Sequence, residues 1–324
     1  MPPPPDLSSY RLSPAASQAI FTSAILPQDI APIPPSSSPA TPEAILAVGQ
    51  TGAGKTRLCP AILSALAGIG RRPAHLIADV YKTHHPSYAS IAPHLASAAT
   101  GPDARVWLRM AVEEAARRRL DVVLESACRH PEDFTVLASV LREAGYRVTV
   151  VVMAVPAALS RLGTLVRYFR DLPEARSGGL PLRLTPVKVH DDSYEGLSKA
   201  VEWLDETGAA DSVILLRRGN LVSFIHEGSV GGKGVSLSEV FARERARPLT
   251  STERSVAVED LKMLESVPEA CEHFDQIKAL LEPLLSGTEP AAQDLPPLLP
   301  LRFEEVPEED DTTVRRVILT VDKS

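Results

Sequence analysis

Eight consecutive residues, Gly49-Gln50-Thr51-Gly52-Ala53-Gly54-Lys55-Thr56, follow the pattern G-x-x-x-x-G-K-[ST]. An apolar run, Ala44 to Val48, precedes them, and a helical run from Thr56 to Leu66 follows. Glycines at 49, 52 and 54 let the backbone wrap an anion with successive N–H groups pointing inward, where side chains would obstruct. The helix starting near Lys55 adds the positive end of its dipole. Lys55 supplies a point charge for the β- and γ-phosphates, and the Thr56 hydroxyl is a ligand for Mg²⁺. The bland alternative is a glycine-rich turn with a purely structural purpose. A strand before and a helix after decide for phosphate binding, with all of residues 49–56 as the cradle. The segment predicts a bound nucleoside triphosphate, ATP or GTP.

A phosphate loop does not by itself distinguish a kinase from a GTPase or a motor ATPase. A GTPase needs D-x-x-G after a strand and N-K-x-D to read guanine. Here the D-x-x-G, Asp205 to Gly208, ends a helix, and no Asn-Lys pair occurs. A motor ATPase needs an apolar strand ending in Asp, whereas Val122-Val123-Leu124 ends in Glu125. Asp79 follows a short apolar strand, Leu76 to Ala78, expected to lie beside the strand that feeds the phosphate loop. Ligands of open parallel sheets sit beyond the carboxyl ends of strands. A carboxylate there can accept the proton of an attacking hydroxyl. By position alone Asp79 serves equally well as a helix N-cap.

Three further words accompany the phosphate loop in order. They are Asp79-Val80-Tyr81-Lys82-Thr83-His84-His85-Pro86; Leu124-Glu125-Ser126-Ala127-Cys128-Arg129; and Met153-Ala154-Val155-Pro156, followed by Leu162-Gly163-Thr164-Leu165-Val166-Arg167-Tyr168. Over about residues 44–226 the chain resembles the zeta-toxin family, the P-loop kinases of toxin–antitoxin systems. The resemblance implies that Asp79 is the catalytic base, within a D-x-[FY]-[KR]-x-x-H-P pattern that Tyr81, Lys82, His85 and Pro86 also fit. It matches Lys55 and Thr56 to the phosphate and Mg²⁺ ligands, and Glu125 and Arg129 to an E-G-T-x-R motif near the acceptor sugar. His85 joins that substrate-binding set. Arg167 resembles the first of two arginines that stabilise the transferring phosphoryl. Arg183, before Thr185-Pro186 and ahead of His190, resembles the second. A metaphosphate-like transition state needs such cations on its equatorial oxygens, and planar guanidinium suits them.

The resemblance therefore implies an ATP- and Mg²⁺-dependent kinase that transfers the γ-phosphate to a hydroxyl of a small nucleotide-sugar-like acceptor. In many zeta toxins that acceptor is UDP-N-acetylglucosamine. An antitoxin protein is the implied partner. Two departures bear on this. The family's Gly-Thr after the Glu is Ser126-Ala127 here, and the family's acidic substrate contact on the preceding helix has no match near Arg109 and Met110. They motivate a second reading, a nucleotide-binding regulatory module that has lost phosphotransfer.

Other residues invite sharper readings than they support. His75, His84, His85 and His94 suggest a metal, but adjacent histidines in an extended segment point opposite ways. Cys59, Cys128 and Cys271 are scattered, with no C-x-x-C pair, which argues against a zinc site and fits a reducing compartment. Cys128 beside Arg129 lacks an evident His base for covalent chemistry. Arg117-Arg118-Arg119 reads as a solvated helix end. Trp107 and Trp203 fit helix–sheet packing.

The elements that must position these residues alternate along the chain. Strands at Ala44–Val48, His75–Ala78, Asp121–Leu124 and Arg147–Ala154 are interleaved with helices, among them Pro131–Ala144, capped by Gly145. Ser212–Leu216 and Leu221–Ile225 flank Arg218-Gly219-Asn220 as a hairpin. The alternation predicts an α/β fold of P-loop NTPase type: a mainly parallel sheet flanked by helices, with extra C-terminal helices. Four regions follow: a Pro/Ser-rich extension over 1–42 with a short helix near Ser13 to Ile30; a kinase domain over 43–232; a helical extension over 233–286; and a Pro-rich, acidic tail over 287–324. At 44% hydrophobic the 324 residues can build a large core. With 41 acidic against 34 basic residues and a net charge of −7, nucleic acid is not an expected partner. The longest apolar run, around Val148 to Leu159, contains Pro156 and is too short to span a bilayer. No basic segment leads into an apolar stretch near residue 1, so the expected location is cytoplasmic.

Overall fold

A computed structural model describes residues 6–34, 41–176, 184–227 and 236–287, together with a short antiparallel pairing of 306–307 with 313–314. The calls on Arg183, on the first prolines and on most of the tail lie outside these residues. Among the described residues the main sheet has six strands in the order β2-β3-β1-β4-β5-β6. They are β1 (Glu43–Val48), β2 (Ala74–Ile77), β3 (Val122–Ser126), β4 (Arg147–Met153), β5 (Ser212–Arg217) and β6 (Leu221–Glu227). The first five run parallel, and β6 returns antiparallel along β5. The β5–β6 turn uses Gly219 and Asn220, both at positive φ, as a tight hairpin requires.

Every residue of β1 is buried, as expected of a central strand covered on both faces. β2 does not lie beside β1; β3 stands between them. The Val122-Val123-Leu124 run is apolar on both faces and takes the doubly covered position. β2 has four residues that alternate between buried and half-buried, a pattern suited to the sheet edge. Asp79 thus emerges one strand further from the phosphate loop than the sequence suggests.

Helices cover both faces. On one lie α4 (Pro93–Arg117), α5 (Pro131–Glu143) and α7 (Val187–Thr207), whose apolar residues join a core with Leu46, Leu124 and Val150. On the other lie α2 (Lys55–Gly68) and α6 (Ala157–Arg176), packed with Ile45, Val123 and Val151. The C-terminal α9 (Ser251–Glu265) and α10 (Cys271–Ser286) extend this second core through Ala257, Leu264, Ile277 and Leu281. Thr250 and Glu253 form a capping box at the start of α9. Between β6 and α9, α8 (Leu237–Ala246) packs on α7.

The N-terminal segment is docked rather than loose. Ser13 caps α1 (Pro14–Ile20), its side chain accepting from Ala16 N at 3.2 Å. The chain then widens into a π-helix over Phe21–Ile30 instead of continuing as α-helix. Pro27 has no N–H to give to a helical ladder, and the wider turn keeps Phe21, Ile25 and Ile30 buried in the core around α4. The fully buried Trp107 donates from Nε1 to the Ser17 carbonyl at 3.0 Å. Arg118 donates to the carbonyls of Ile30 and Ile33 at 2.6 and 2.7 Å. Of the three arginines ending α4, this one is therefore a docking residue, not a solvated one.

The starts of the central strands are tied by one carboxylate. Asp121, just before β3, accepts from Glu43 N at 2.9 Å and from Arg71 at 3.0 Å, with both side chains buried. Breaking a buried pair from one side costs about 3–5 kcal/mol. Asp121→Ala should lower the unfolding free energy by about that amount in urea titrations. A change within error would show that the tie is dispensable.

Candidate active site

The phosphate loop leaves β1 at Val48 and enters α2 at Lys55. Gly52 (φ 77°) and Gly54 (φ 118°) take left-handed conformations that side chains resist. A Cβ on Gly52 would also overlap the Ser160 carbonyl oxygen, so α6 packs directly on loop backbone. Gly163 is required from the other side, because a Cβ there would lie 2.6 Å from the Gly52 carbonyl oxygen.

The loop is anchored from behind. Gln50 is buried, and its Nε2 donates to the Val155 carbonyl at 2.7 Å and to Ser160 Oγ at 3.2 Å. Thr51 N donates to Ser193 Oγ at 3.2 Å. Arg218 donates to the carbonyls of Gly52 and Leu159 at 2.7 and 2.6 Å. Buried His190 contacts Ser160 Oγ at 2.8 Å through Nε2 and Asp191 at 3.0 Å through Nδ1. Ser160 has no exposed surface and holds the loop, so this Ser–His–Asp contact is a brace and not a nucleophile. The Gln50 side chain is accordingly an anchor, and the Ala53 N–H closes a turn onto the Gln50 carbonyl at 3.1 Å.

Lys55 Nζ donates to the Gly49 carbonyl at 2.5 Å. Burial pulls its ammonium below the ordinary lysine value, while Glu125 and Asp79 act in the opposite direction. Thr56 stands exposed in the first turn of α2, where its hydroxyl is free to meet a hydrated cation. Glu125 ends the buried part of β3 and feels Lys55.

Asp79 lies in α3 (Ala78–Tyr81), two residues after the end of β2. Its side chain is 80% exposed and forms an ion pair with Lys82, which also donates to Ser97 Oγ at 2.7 Å. Crowding pushes the Asp79 carboxyl upward. Lys82 outweighs this, with help from Lys55 and Arg167, and the net value falls below the usual carboxylate range. Arg167 is exposed on α6 and reaches Asp79 electrostatically from across the loop. The N-cap alternative for Asp79 is not what the structure shows, because the residue preceding α3 is Ile77 and Asp79 sits within the first turn.

Arg129 is half-exposed and lies 3.5 Å from Asp192 of α7. The Ser126 hydroxyl accepts from Cys128 N at 3.0 Å, closing a tight turn in which Cys128 takes a positive φ. Buried Cys128 has its thiol pushed up to about 12 by burial, which leaves it inert as a nucleophile. His85 departs from its expected substrate-binding place. It is buried, its Nε2 facing the Tyr10 carbonyl at 3.0 Å and its Nδ1 accepting from Ser87 N at 3.2 Å. Nε2 serves the docking of the N-terminal segment, and Nδ1 closes a local turn with Ser87. The structure thus gathers Lys55, Thr56, Asp79, Glu125 and Arg167 at the carboxyl ends of the strands and leaves His85 outside. The braces Ser160, His190, Ser193 and Arg218 carry no contiguous motif. Arg218 reads in sequence as a hairpin residue only.

Comparison with known proteins agrees with this geometry. The Zeta toxin family model matches residues 30–229. The chain is 26% identical to a Toxin zeta of Enterococcus hirae over 261 residues, covering 76% of this chain and 85% of that one. A Toxin zeta of Streptococcus pyogenes matches to the same extent. A solved chain from the PezAT chromosomal toxin–antitoxin system of Streptococcus pneumoniae superposes with a TM-score of 0.60 at 17% identity, over 86% of this chain and all of that one, and so shares the fold. With a phosphate loop, a flanking carboxylate and an arginine arranged on this sheet, the chain belongs to the zeta-toxin family of P-loop phosphotransferases.

Proposed function

We propose that the protein is an ATP- and Mg²⁺-dependent kinase, GTP being the alternative donor, that phosphorylates a hydroxyl of a nucleotide sugar of the UDP-N-acetylglucosamine type. One observation carries the reading: Lys55 and Arg167, from separate elements, both lie within electrostatic reach of the Asp79 carboxylate. Asp79 accepts the acceptor's hydroxyl proton. The loop of residues 49–56 and the Lys55 ammonium hold the terminal phosphates, and Arg167 faces the transferring group. Arg183, on the chain before α7, is assigned as the second arginine. Thr56 would hold Mg²⁺, which supplies charge neutralisation between the β- and γ-phosphates when bound. Glu125 and Arg129 shape the acceptor side. An antitoxin is the expected protein partner, and the cytoplasm is the expected location. Among the described residues no helix is long and apolar enough to cross a membrane.

A regulatory module without transfer is the competing reading, and Ser126 favours it. Its hydroxyl accepts from Cys128 N and faces Cys128 Sγ at 3.8 Å, so its contacts serve the turn of its own segment. Slow nucleotide hydrolysis without any phosphorylated product would decide for the module.

Asp79→Asn should reduce transfer by about 10²–10⁴-fold, the usual contribution of a positioned base. Nucleotide affinity, measured by calorimetry, should stay unchanged. Turnover at the wild-type rate would remove Asp79 from the mechanism. Because its depressed carboxyl stays ionised in mild acid, the acid limb of kcat/KM should fall below the ordinary aspartate range. Lys82→Met removes the main lowering influence and should move that limb upward. An unmoved limb would show that another group sets it.

A further inference from the structure

The sequence argues against a metal site in this chain, because no two cysteines or histidines are spaced as ligand pairs. The fold makes one from distant parts. In the parallel register His75 pairs with Val123 and Ile77 with Glu125, so His75 and Glu125 lie on the same face, one step apart on adjacent strands. That face is the one covered by α2, which presents Cys59 in its second turn. The Cys59 sulfur, a His75 ring nitrogen and a Glu125 carboxylate oxygen all lie within 4.8 Å of one another.

We propose that Cys59, His75 and Glu125 form a binding site for a borderline-soft divalent cation of the zinc class, separate from the Mg²⁺ position at Thr56. Thiolate, imidazole and carboxylate are the donor set such ions choose, whereas Mg²⁺ prefers oxygen alone. Cys59 is only 1% exposed, and His75 Nε2 is buried without a hydrogen-bond partner. Buried imidazole nitrogens are seldom left so, and an ion would satisfy this one. Burial also keeps the imidazole below its ordinary value, hence neutral and ready to donate its lone pair. One thiolate and one carboxylate balance a charge of +2 in a site with one buried and two half-buried ligands.

Tetrahedral bonds of about 2.0–2.3 Å place ligand atoms roughly 3.5 Å apart, so about 1 Å of closure suffices. Rotation of the Glu125 side chain can supply it. In the metal-free site the thiol keeps its proton, pushed up to about 12 by burial and by Glu125. Binding therefore forms a metal–sulfur bond and releases that proton to solvent, with no change of oxidation state. Water fills the fourth position. Where Glu125 contacts the acceptor, a consequence that rests on the kinase reading, the bound ion draws its carboxylate away and switches the acceptor side off.

The test needs no kinase assay. Untagged full-length protein in a Cys271→Ala background, which removes the exposed thiol, is titrated with Co²⁺ and followed by absorption. One equivalent should produce a thiolate-to-cobalt charge-transfer band with tetrahedral d–d bands, displaced by Zn²⁺. Cys59→Ala should abolish the charge-transfer band. His75→Ala should weaken Co²⁺ binding at least tenfold, with circular dichroism showing that both variants remain folded. No band at excess Co²⁺, or a band that persists in Cys59→Ala, would overturn the site. Absent phosphotransfer in the protein before any Co²⁺ or Zn²⁺ is added would count against the kinase reading and leave the metal site standing.

Discussion

The molecule depends on keeping a short stretch of backbone in a shape that a free chain avoids. Residues 49–54 curl tightly, with two glycines in left-handed conformations and the carbonyls of Gly49 and Gly52 turned to protein donors. Such carbonyls need donors, and an unpaired one in a packed interior costs about 1–3 kcal/mol. Arg218 serves the carbonyl of Gly52, and Lys55 serves that of Gly49. Gln50 and Ser193 tie the same loop to α6 and α7.

The sheet converts that local constraint into a site. Placing β1 at the centre puts the loop where β3 and β4 end on either side, and β2 ends one strand further out. Lys55 and Glu125 consequently share a half-buried region while Asp79 stands at the open rim. Charge follows this layout. Burial weakens the hold of Lys55 on its proton, the nearby carboxylates offset this in part, and a phosphate would strengthen the hold further. At the rim Lys82 keeps Asp79 ionised before any acceptor arrives. The Arg161–Asp191 pair, at 2.6 Å, fastens α6 to the first turns of α7, so Arg167 and the His190 brace sit on coupled helices.

What could be read from sequence was whatever is written contiguously. Residues 49–56 spell their function because a phosphate loop is local, and the β5–β6 hairpin is legible for the same reason. The place of β2 was not legible, since pairing order depends on which apolar strand is covered on both faces. Nor were Ser160, His190, Ser193 and Arg218, which act on the loop from positions more than 100 residues away. His85 was misread because its motif names the residue type without saying which way the ring turns. Here it faces Tyr10, a residue from a segment whose docking no periodicity announces. The Cys59, His75 and Glu125 cluster has the same origin, three elements brought together by sheet register and helix packing.

On the proposed kinase reading, the carboxylate at the rim and the loop-held phosphate serve transfer to a sugar hydroxyl rather than to water. Incubation with γ-labelled ATP, Mg²⁺ and UDP-N-acetylglucosamine, followed by fragmentation mass spectrometry of the labelled species, tests it directly. The account predicts a nucleotide sugar heavier by one phosphate, with the label on the amino-sugar ring. Label recovered solely as inorganic phosphate, across a panel of nucleotide sugars, would contradict it.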